Sequence, residues 1–430
     1  MASRSLRQRS MKRTRPLLAP AVLCLASFTS VARSADAPAP PWLADAAREA
    51  EGIDDPVTRA VAWWRIAAIS AEVGDDALCE KVVERAKKQT PAGNAAGLMF
   101  AEAFAARFVI LAKVAAGKVQ EAEALVPPAP VGPREDTPSA TARLAWVQGL
   151  ARRGDVARAI EVAQASPRQS PIPYGFIAEE QAKRGDKAGA VETAKLILKG
   201  GTNPELCQNV AVTLVRCAGA DEEARAAARL YEPYQDVALA EVAIAQVDCG
   251  RYPEAEKTLA LVREEWRKDP AKEVMAAALV RRGDVEGGKR LATSMTWPGS
   301  FGTNEKLVGA AIDSGNWDAA RALARDVSSK GDRRLIDKVE RARADGRGGA
   351  LARMRAKALV APPPSRRFGA LSEVGRASVA AGKGEALRAW RDGLESPADR
   401  VAVSVGAAMG GAGLRNEDVL QPELMTGTLR

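Results

Sequence analysis

Adjacent carboxylates are the residues of this sequence best suited to chemistry, because two acids can act as general acid and base on a glycosidic bond. The five pairs considered are Asp54-Asp55, Asp75-Asp76, Glu179-Glu180, Glu222-Glu223 and Glu264-Glu265. Most of them stand where helix caps and solvated helix faces place acids, so a structural role is favoured over catalysis. No enzyme motif is present beside these pairs, and we expect the protein not to be an enzyme.

Histidine is missing from all 430 residues. Its absence removes the usual general base near neutral pH, the usual zinc ligand and a member of most nucleophile triads. Outside the first 34 residues the cysteines form no C-x-x-C motif; they are Cys79, Cys207, Cys217 and Cys249. We therefore expect neither a metal nor a cofactor.

The first 34 residues have the three parts of an export signal. Seven basic residues and no acid accompany an apolar stretch at 17–28, and the small residues Ala32 and Ser34 follow it. We predict cleavage after Ser34 and a periplasmic or secreted protein with no transmembrane anchor in the mature chain. An organellar transit peptide is the alternative, and either Met1 or Met11 is the true start.

The charge of the mature chain is close to balanced. The full sequence has a formal charge of +9, but without the seven cations of the leader the remainder stands at +2. A basic leader does not indicate nucleic-acid binding, and we expect no nucleic-acid partner.

A glycine followed by a polar or charged residue recurs about every 33 residues, the period at which helical repeats are found. The glycines are Gly74, Gly117, Gly154, Gly185, Gly219, Gly250, Gly283 and Gly315, with weaker echoes at Gly346 and Gly382. Apolar residues stand eight positions before each clear glycine and nine after it, and a small residue stands five after it. This spacing predicts a first helix, a turn closed by glycine in the left-handed conformation, and a second helix that approaches the first closely.

Capping residues before prolines mark helix starts in the loops, because proline suits the first helical position. The dipeptides are Asp55-Pro56, Asn203-Pro204, Asp269-Pro270 and Ser396-Pro397.

The pattern resembles the tetratricopeptide family in a degenerate form, over roughly residues 50–400. The resemblance implies an all-α protein built as a right-handed superhelical solenoid of about ten antiparallel helix pairs. A helical bundle without regular stacking is the alternative.

Proline-rich stretches suggest how the chain is divided. The predicted segments are a signal peptide (1–34), a linker with the start of the first helix (35–50), the first repeats (51–126), a proline-rich connection (127–138), regular repeats (139–345), degenerate repeats with a basic segment (346–410) and a tail (411–430).

Cys217 and Cys249 stand just before the glycines of adjacent repeats, so neighbouring first helices could bring them together. A disulfide between them is one interpretation in an oxidising compartment, and buried free thiols are the favoured one.

Helical-pair arrays bind partners on a concave groove lined by first-helix residues. The resemblance implies groove positions two, six and ten residues before each glycine. The candidates are Trp64, Glu72, Arg107, Gln148, Arg152, Glu179, Lys183, Asn209, Thr213, Asp248, Glu273, Arg281, Glu305 and Asp313. Their charges are mixed, and the alternative to a ligand site is a solvated face.

The segment 330–367 is the most basic part of the mature chain. Its candidate patch consists of Arg333, Arg334, Lys338, Arg341, Arg343, Arg347, Arg353, Arg355 and Lys357. An acidic partner or an anionic surface could dock there, although a solvated helix face is favoured.

These observations together predict an exported, non-catalytic scaffold or adaptor that binds a protein or peptide partner along a helical-repeat surface. The alternative is a helical enzyme, or an accessory subunit of an envelope enzyme, that uses carboxylates on a cell-wall or polysaccharide substrate.

Overall fold

The computed structural model is built from helices. It describes residues 41–89, 95–128, 137–165, 171–199, 204–296, 303–327, 334–345, 349–361 and 365–414. Within these ranges there are 22 α-helices and one 3-10 turn, and no β-strand. None of the described helices combines the length and the apolar character needed to cross a membrane. The predicted all-α class is therefore confirmed.

The helices are short and follow one another closely. The first seven are α1 (Pro41–Ala50), α2 (Pro56–Val73), α3 (Asp76–Gln89), α4 (Ala95–Ala115), α5 (Val119–Ala124), α6 (Thr137–Arg153) and α7 (Val156–Gln164). The next seven are α8 (Ile172–Lys183), α9 (Lys187–Lys199), α10 (Pro204–Ala218), α11 (Asp221–Ala228), α12 (Gln235–Asp248), α13 (Tyr252–Ala260) and α14 (Glu265–Arg281). The last eight are α15 (Val285–Thr293), α16 (Thr303–Asp313), α17 (Trp317–Val327), α18 (Arg334–Asp345), α19 (Gly349–Leu359), α20 (Ser365–Ala380), α21 (Gly384–Asp392) and α22 (Pro397–Gly411).

The repeating glycines end the first helix of each pair. All eight clear ones, together with Gly382, have a positive φ, whereas Gly346 lies outside the described residues. Gly74 shows why glycine is needed: at φ 77° a side chain would be strained, and its amide N–H donates to the carbonyl of Ser70. The predicted turns are confirmed at each described position.

The helix starts agree with the sequence at two capping sites and differ at a third. Asp55 and Ser396 accept backbone N–H groups at the starts of α2 and α22. The Asp269-Pro270 prediction is wrong, because α14 begins at Glu265 and contains Pro270 in its interior. Asp269 instead accepts a hydrogen bond from the backbone N–H of Thr296 at 3.1 Å, which ties it to the loop after α15. Asn203 lies outside the described residues.

The first helices of successive pairs pack side by side. Contacts run from α2 to α4 and onward through α6, α8, α10, α12, α14 and α16 to α18, while each second helix packs mainly against its own first helix. The small residues five positions after the glycines, such as Ala122, Ala159 and Ala190, are fully buried and let the two helices of a pair approach closely. We call the row α2–α18 of first helices the inner layer.

The apolar core is divided into two clusters. The larger one joins α1–α14 to α19–α22, and the smaller one runs from α14 to α18. The boundary falls within α14, where Met275 belongs to the first cluster and Val280 to the second.

Helices α20 and α22 pack so closely that their backbones nearly touch at Gly406. A Cβ added at Gly406 of α22 would lie 1.7 Å from the carbonyl oxygen of Ser372 in α20, so only glycine permits this approach. Helix α22 also packs against α1 and α2, which lie about 350 residues earlier in the chain.

Part of the predicted segmentation lies outside the described residues. This applies to the signal peptide, to most of the proline-rich connection and to the tail from residue 415. Helix α1 occupies 41–50, within the segment expected to hold the start of the first helix.

Candidate functional site

Six of the predicted groove residues lie together in one buried group of charges. They belong to four consecutive inner helices, α2, α4, α6 and α8, and one further carboxylate completes the set. We name it the inner charge cluster; it consists of Glu72, Arg107, Gln148, Arg152, Glu179, Glu180 and Lys183.

Glu180 is the centre of this cluster. Its Oε1 accepts hydrogen bonds from Gln148 Nε2 at 3.2 Å, from Arg152 Nε at 3.2 Å and from Lys183 Nζ at 3.0 Å. The residue is 2% exposed, so these bonds form where water does not compete. The groove register does not include Glu180. The only sequence signal for it is its place in the Glu179-Glu180 pair, three residues before Lys183.

Arg152 and Arg107 link the remaining helices to this centre. Arg152 reaches across α4 to place its guanidinium 3.1 Å from Glu72 Oε2 of α2. Arg107 donates to Gln148 Oε1 at 2.7 Å and lies 5.2 Å from the ring centroid of Phe176, a cation–π distance. Four helices are therefore joined by charge-assisted contacts.

Burial and neighbouring charges move the pKa values of the carboxylates in opposite directions. Burial acts to raise the pKa of Glu180, but Lys183 and Arg152 outweigh it, and the pKa is lowered. Burial raises the pKa of Glu72 despite the nearby Arg152. Burial also raises the pKa of Glu179 to about 7, with Lys183 opposing the shift and Glu180 adding to it.

The two guanidinium groups respond to the same environment. Burial lowers the pKa of Arg107 to about 10, and the positive charge of Arg152 adds to that shift. Burial acts in the same sense on Arg152, but the carboxylates Glu72 and Glu180 raise its pKa above the ordinary value.

Glu179 differs from the other acids of the cluster. It is 1% exposed, and among the described residues no donor makes a hydrogen bond to its Oε1. A protonated carboxyl is the form that such a site favours, in agreement with the raised pKa.

The cluster contains three acids and three cations, in which Arg152 pairs with Glu72 and Glu180, and Lys183 pairs with Glu180. With Glu179 and Glu180 enclosed, the carboxylates are sealed from bulk solvent. Chemically, the arrangement is suited to fixing α2, α4, α6 and α8 relative to one another rather than to receiving a ligand.

Trp64 is also buried rather than presented on a surface. It is 3% exposed, and its ring centroid lies 6.5 Å from that of Phe104 and 6.2 Å from that of Phe108. These tilted aromatic contacts place it in the core between α2 and α4.

The groove positions of α10 lie between the enclosed positions of α2–α8 and the more exposed positions of the later helices. Asn209 is half-buried, and Thr213 is 1% exposed with no hydrogen-bond partner for its hydroxyl among the described residues.

From α12 onward most of the groove positions face solvent. Asp248, Arg281, Glu305 and Asp313 are exposed, with Asp248 3.5 Å from Arg216. Glu273 is half-buried and accepts a hydrogen bond from Thr303 Oγ1 at 3.1 Å.

The basic segment does not form one uniform patch. Arg334, Lys338, Arg343 and Lys357 are exposed. Arg341 is exposed as well, and it donates to the carbonyl of Asp337 in its own helix.

Arg355 behaves differently from these exposed cations. It lies 4.7 Å from the ring centroid of Trp390, and burial lowers its pKa. Helix α19 includes Arg353, whereas Arg333 and Arg347 lie outside the described residues.

None of the four cysteines in the described part of the chain forms a disulfide in the structure. Cys79 and Cys207 are buried, and burial raises the pKa of Cys207 to about 11. Cys217 is half-buried and Cys249 is exposed. A disulfide between them stays a prediction.

The comparisons with known proteins add no relative. No protein-family model matches the chain, and no curated protein matches it either. The function is therefore argued from the geometry described above.

Proposed function

We propose that the protein is an exported, non-catalytic scaffold that binds a protein or peptide partner on the inner layer of its helix pairs between α12 and α16. In this proposal the helices form a right-handed, tetratricopeptide-like solenoid of about ten antiparallel pairs. The resemblance of the glycine-spaced repeats to that family supports it.

One observation supports this surface above the others. On three successive inner helices that contact each other, the groove residues Asp248, Arg281 and Glu305 remain exposed. Exposed charges of both signs along stacked helices suit an extended partner segment of alternating charge. Each acid of the protein can then pair with a cation of the partner, and each cation with an acid. The equivalent positions from α2 to α8 are occupied by the inner charge cluster and are not free to bind.

The carboxylate-enzyme alternative is less well supported. Among the described residues, Glu179 and Glu180 are adjacent acids whose pKa values shift in opposite directions, a pattern that acid–base catalysis uses. Both are almost fully enclosed, at 1% and 2% exposure, whereas a polymeric substrate needs an open cleft between the two carboxylates.

A photo-crosslinking amino acid at single positions tests the proposed surface. We expect crosslinkers at Arg281 and at Glu305 to capture the same protein from a periplasmic extract. Crosslinkers at Glu161 and Lys199, exposed residues of the second helices α7 and α9, serve as matched controls and should not capture it. Capture from the controls alone would contradict the proposal.

Charge reversal then measures the contribution of the surface to binding. The variant Arg281→Glu with Glu305→Lys should weaken binding of the purified, captured partner at least tenfold, while Lys199→Glu with Glu161→Lys should not. Equal affinity of both variants would exclude the inner layer as the binding surface.

Export is tested separately from binding. The leader predicts that the mature protein, isolated from the periplasm, begins at Ala35. Recovery of the intact leader on a cytosolic protein would contradict the predicted location.

A further inference from the structure

The first described helix lies against the last one. Helix α1 packs on α22, and α2 contacts α22 as well, although more than 340 residues separate the paired side chains. The two ends of the helix array therefore meet, and α1 covers a surface that α21 and α22 provide.

The apolar part of this contact is complete. One face of α1 buries Leu43, Ala46 and Ala50, which show no exposed surface and follow the i, i+3, i+7 spacing of a helix stripe. Val401 and Val405 of α22, the helix on which α1 packs, are likewise fully buried and belong to the same core cluster.

The charged part is equally complementary. Asp45 Oδ2 lies 3.2 Å from the guanidinium of Arg388 and 3.2 Å from that of Arg391, and Glu49 Oε2 accepts from Arg400 Nε at 2.8 Å. The Asp45 and Arg391 side chains are only 13% and 8% exposed, so this pair is poorly screened by water. Acids thus occur on α1, and the arginines on α21 and α22 face them.

An aromatic ring of α1 also contacts the arginines of α21. The ring of Trp42 lies 4.5 Å from the guanidinium carbon of Arg388 and 5.5 Å from that of Arg391. Trp42, Asp45 and Glu49 are spaced i, i+3, i+7, which places them on a second stripe beside the apolar one. A short sequence therefore supplies an aromatic ring, a leucine and two acids to one surface.

A ten-residue helix is not stable alone in water, because the gain from its few hydrogen bonds does not offset the cost of nucleation. We therefore expect α1 to be helical only while it is docked. Its contact with α21 and α22 has the form of an amphipathic helix bound in a groove, with the difference that ligand and receptor share one chain.

We propose that α21 and α22 form a docking surface for an acidic amphipathic helix, and that α1 occupies this surface as an intramolecular ligand that a partner helix of the same chemistry displaces. The partner carries an aromatic residue followed directly by leucine, with acids three and seven residues after the aromatic one. This proposal goes beyond the scaffold function above and uses different helices, so each can fail without the other.

A disulfide provides the closed reference state. A Cβ added at Gly52 would lie 3.8 Å from Cβ of Pro397, at the usual separation for a disulfide. We expect Gly52→Cys with Pro397→Cys, in a Cys217→Ser, Cys249→Ser background, to form this bond and to tether the turn after α1 to the start of α22, which favours the docked position of α1. The full chain with Leu43→Ala and Asp45→Asn provides the opened state.

The test uses a fluorescent peptide of residues 41–52 and measures its anisotropy with each full-length chain. The opened chain should bind the peptide at least tenfold more tightly than the oxidised, locked chain, and reduction of the locked chain should restore weak binding. A peptide with Asp45→Lys and Glu49→Lys should not bind the opened chain.

Amide hydrogen exchange shows whether α1 has left the docking surface, so that a failure of the peptide to bind can be interpreted. If α1 exchanges freely in the opened chain, while α8 stays protected and the chain is folded, a failure to bind the peptide overturns the proposal. Equal binding to the locked and opened chains overturns it too, because the peptide would then use another surface.

Discussion

The inner layer has two halves that share one sequence register and differ in how deeply their groove positions are buried. From α2 to α8 the groove positions are enclosed, most of them in the inner charge cluster, with Gln148 at 0% and Glu179 at 1% exposure. From α12 to α16 most of the equivalent positions, such as Arg281 and Glu305, are exposed. A polar residue at an inner position of a helical repeat is therefore not by itself a sign of a ligand surface.

The difference is visible in the ion pairs that the groove residues of each half make. In the N-terminal half Arg152 of α6 pairs with Glu72 of α2 and with Glu180 of α8, so three inner helices share one guanidinium group. Past the transition at α10, Asp248 of α12 is more exposed and lies 3.5 Å from Arg216 of the neighbouring helix α10. Ion pairs that converge on enclosed carboxylates fill the inner face from α2 to α8, whereas the groove charges from α12 to α16 stand mostly in solvent.

The largest expected difference in stability is between alanine variants of two arginines at the same register position. Arg152 and Arg281 each stand two residues before a turn glycine. Arg152→Ala leaves the buried acids Glu72 and Glu180 without their shared cation, and we expect a loss of about 3–5 kcal/mol in the free energy of unfolding. The matched Arg281→Ala should change it by less than about 0.5 kcal/mol. Urea denaturation of both variants measures this, and equal losses would remove the distinction between the halves.

Double-mutant cycles should give a smaller but more specific contrast. The buried pair Glu72–Arg152 is expected to couple by about 2 kcal/mol, and the more exposed pair Arg216–Asp248 by less than about 1 kcal/mol. In 1 M NaCl, a condition chosen for its strong screening, the second coupling should vanish and the first should persist. The cycles use Glu72→Gln, Arg152→Met, Arg216→Met and Asp248→Asn, and comparable couplings would contradict the contrast.

The pH dependence of stability should reveal Glu179. Its pKa of about 7 in the folded protein lies above the ordinary value of 4.5, so the folded state binds the proton more tightly. The resulting stabilisation is full below about pH 4.5 and is lost as the pH rises through 7. Between pH 5 and pH 8, wild type should therefore lose about 1–3 kcal/mol relative to Glu179→Gln.

Urea midpoints for the two proteins at intervals between pH 5 and pH 8 provide the measurement. Parallel pH profiles would show that the carboxyl of Glu179 does not titrate with folding. Glu305→Gln is the matched control in the open half, and its profile should follow wild type.

The smallest effect concerns Thr213, at the transition between the halves. Because its buried hydroxyl finds no hydrogen-bond partner among the described residues, Thr213→Val should stabilise the protein by about 0.5–1 kcal/mol. Thr293→Val, which removes an exposed hydroxyl bonded to the carbonyl of Arg290, should be neutral or slightly destabilising. A loss of stability in Thr213→Val would indicate that the hydroxyl has a partner, such as a bound water.

Local features of the fold could be predicted from the sequence because they depend on a few neighbouring residues. Glycine is the residue that adopts the left-handed turn without strain, so its spacing marked the end of the first helices. Proline was less reliable. Asp269-Pro270 predicted a helix start, but α14 already begins at Glu265, and the Asp269 carboxylate accepts from the distant Thr296 N–H instead of capping a helix.

The candidate site could be predicted only in part. The register identified Arg107, Gln148 and Arg152 as inner residues, and these do converge. It could not identify Glu180, whose importance comes from donors on α6 and α8 that meet at one oxygen. It also gave no indication that Trp64 would be enclosed by Phe104 and Phe108.

By itself the sequence determined the helices, their turns and which residues repeat at each register position, since backbone conformation and periodicity are local properties. Only the tertiary structure decided which inner positions are buried and that α1 meets α22. Both depend on how helices pack in space, including contacts between residues hundreds of positions apart such as those of α1 with α22. No short stretch of sequence encodes either one.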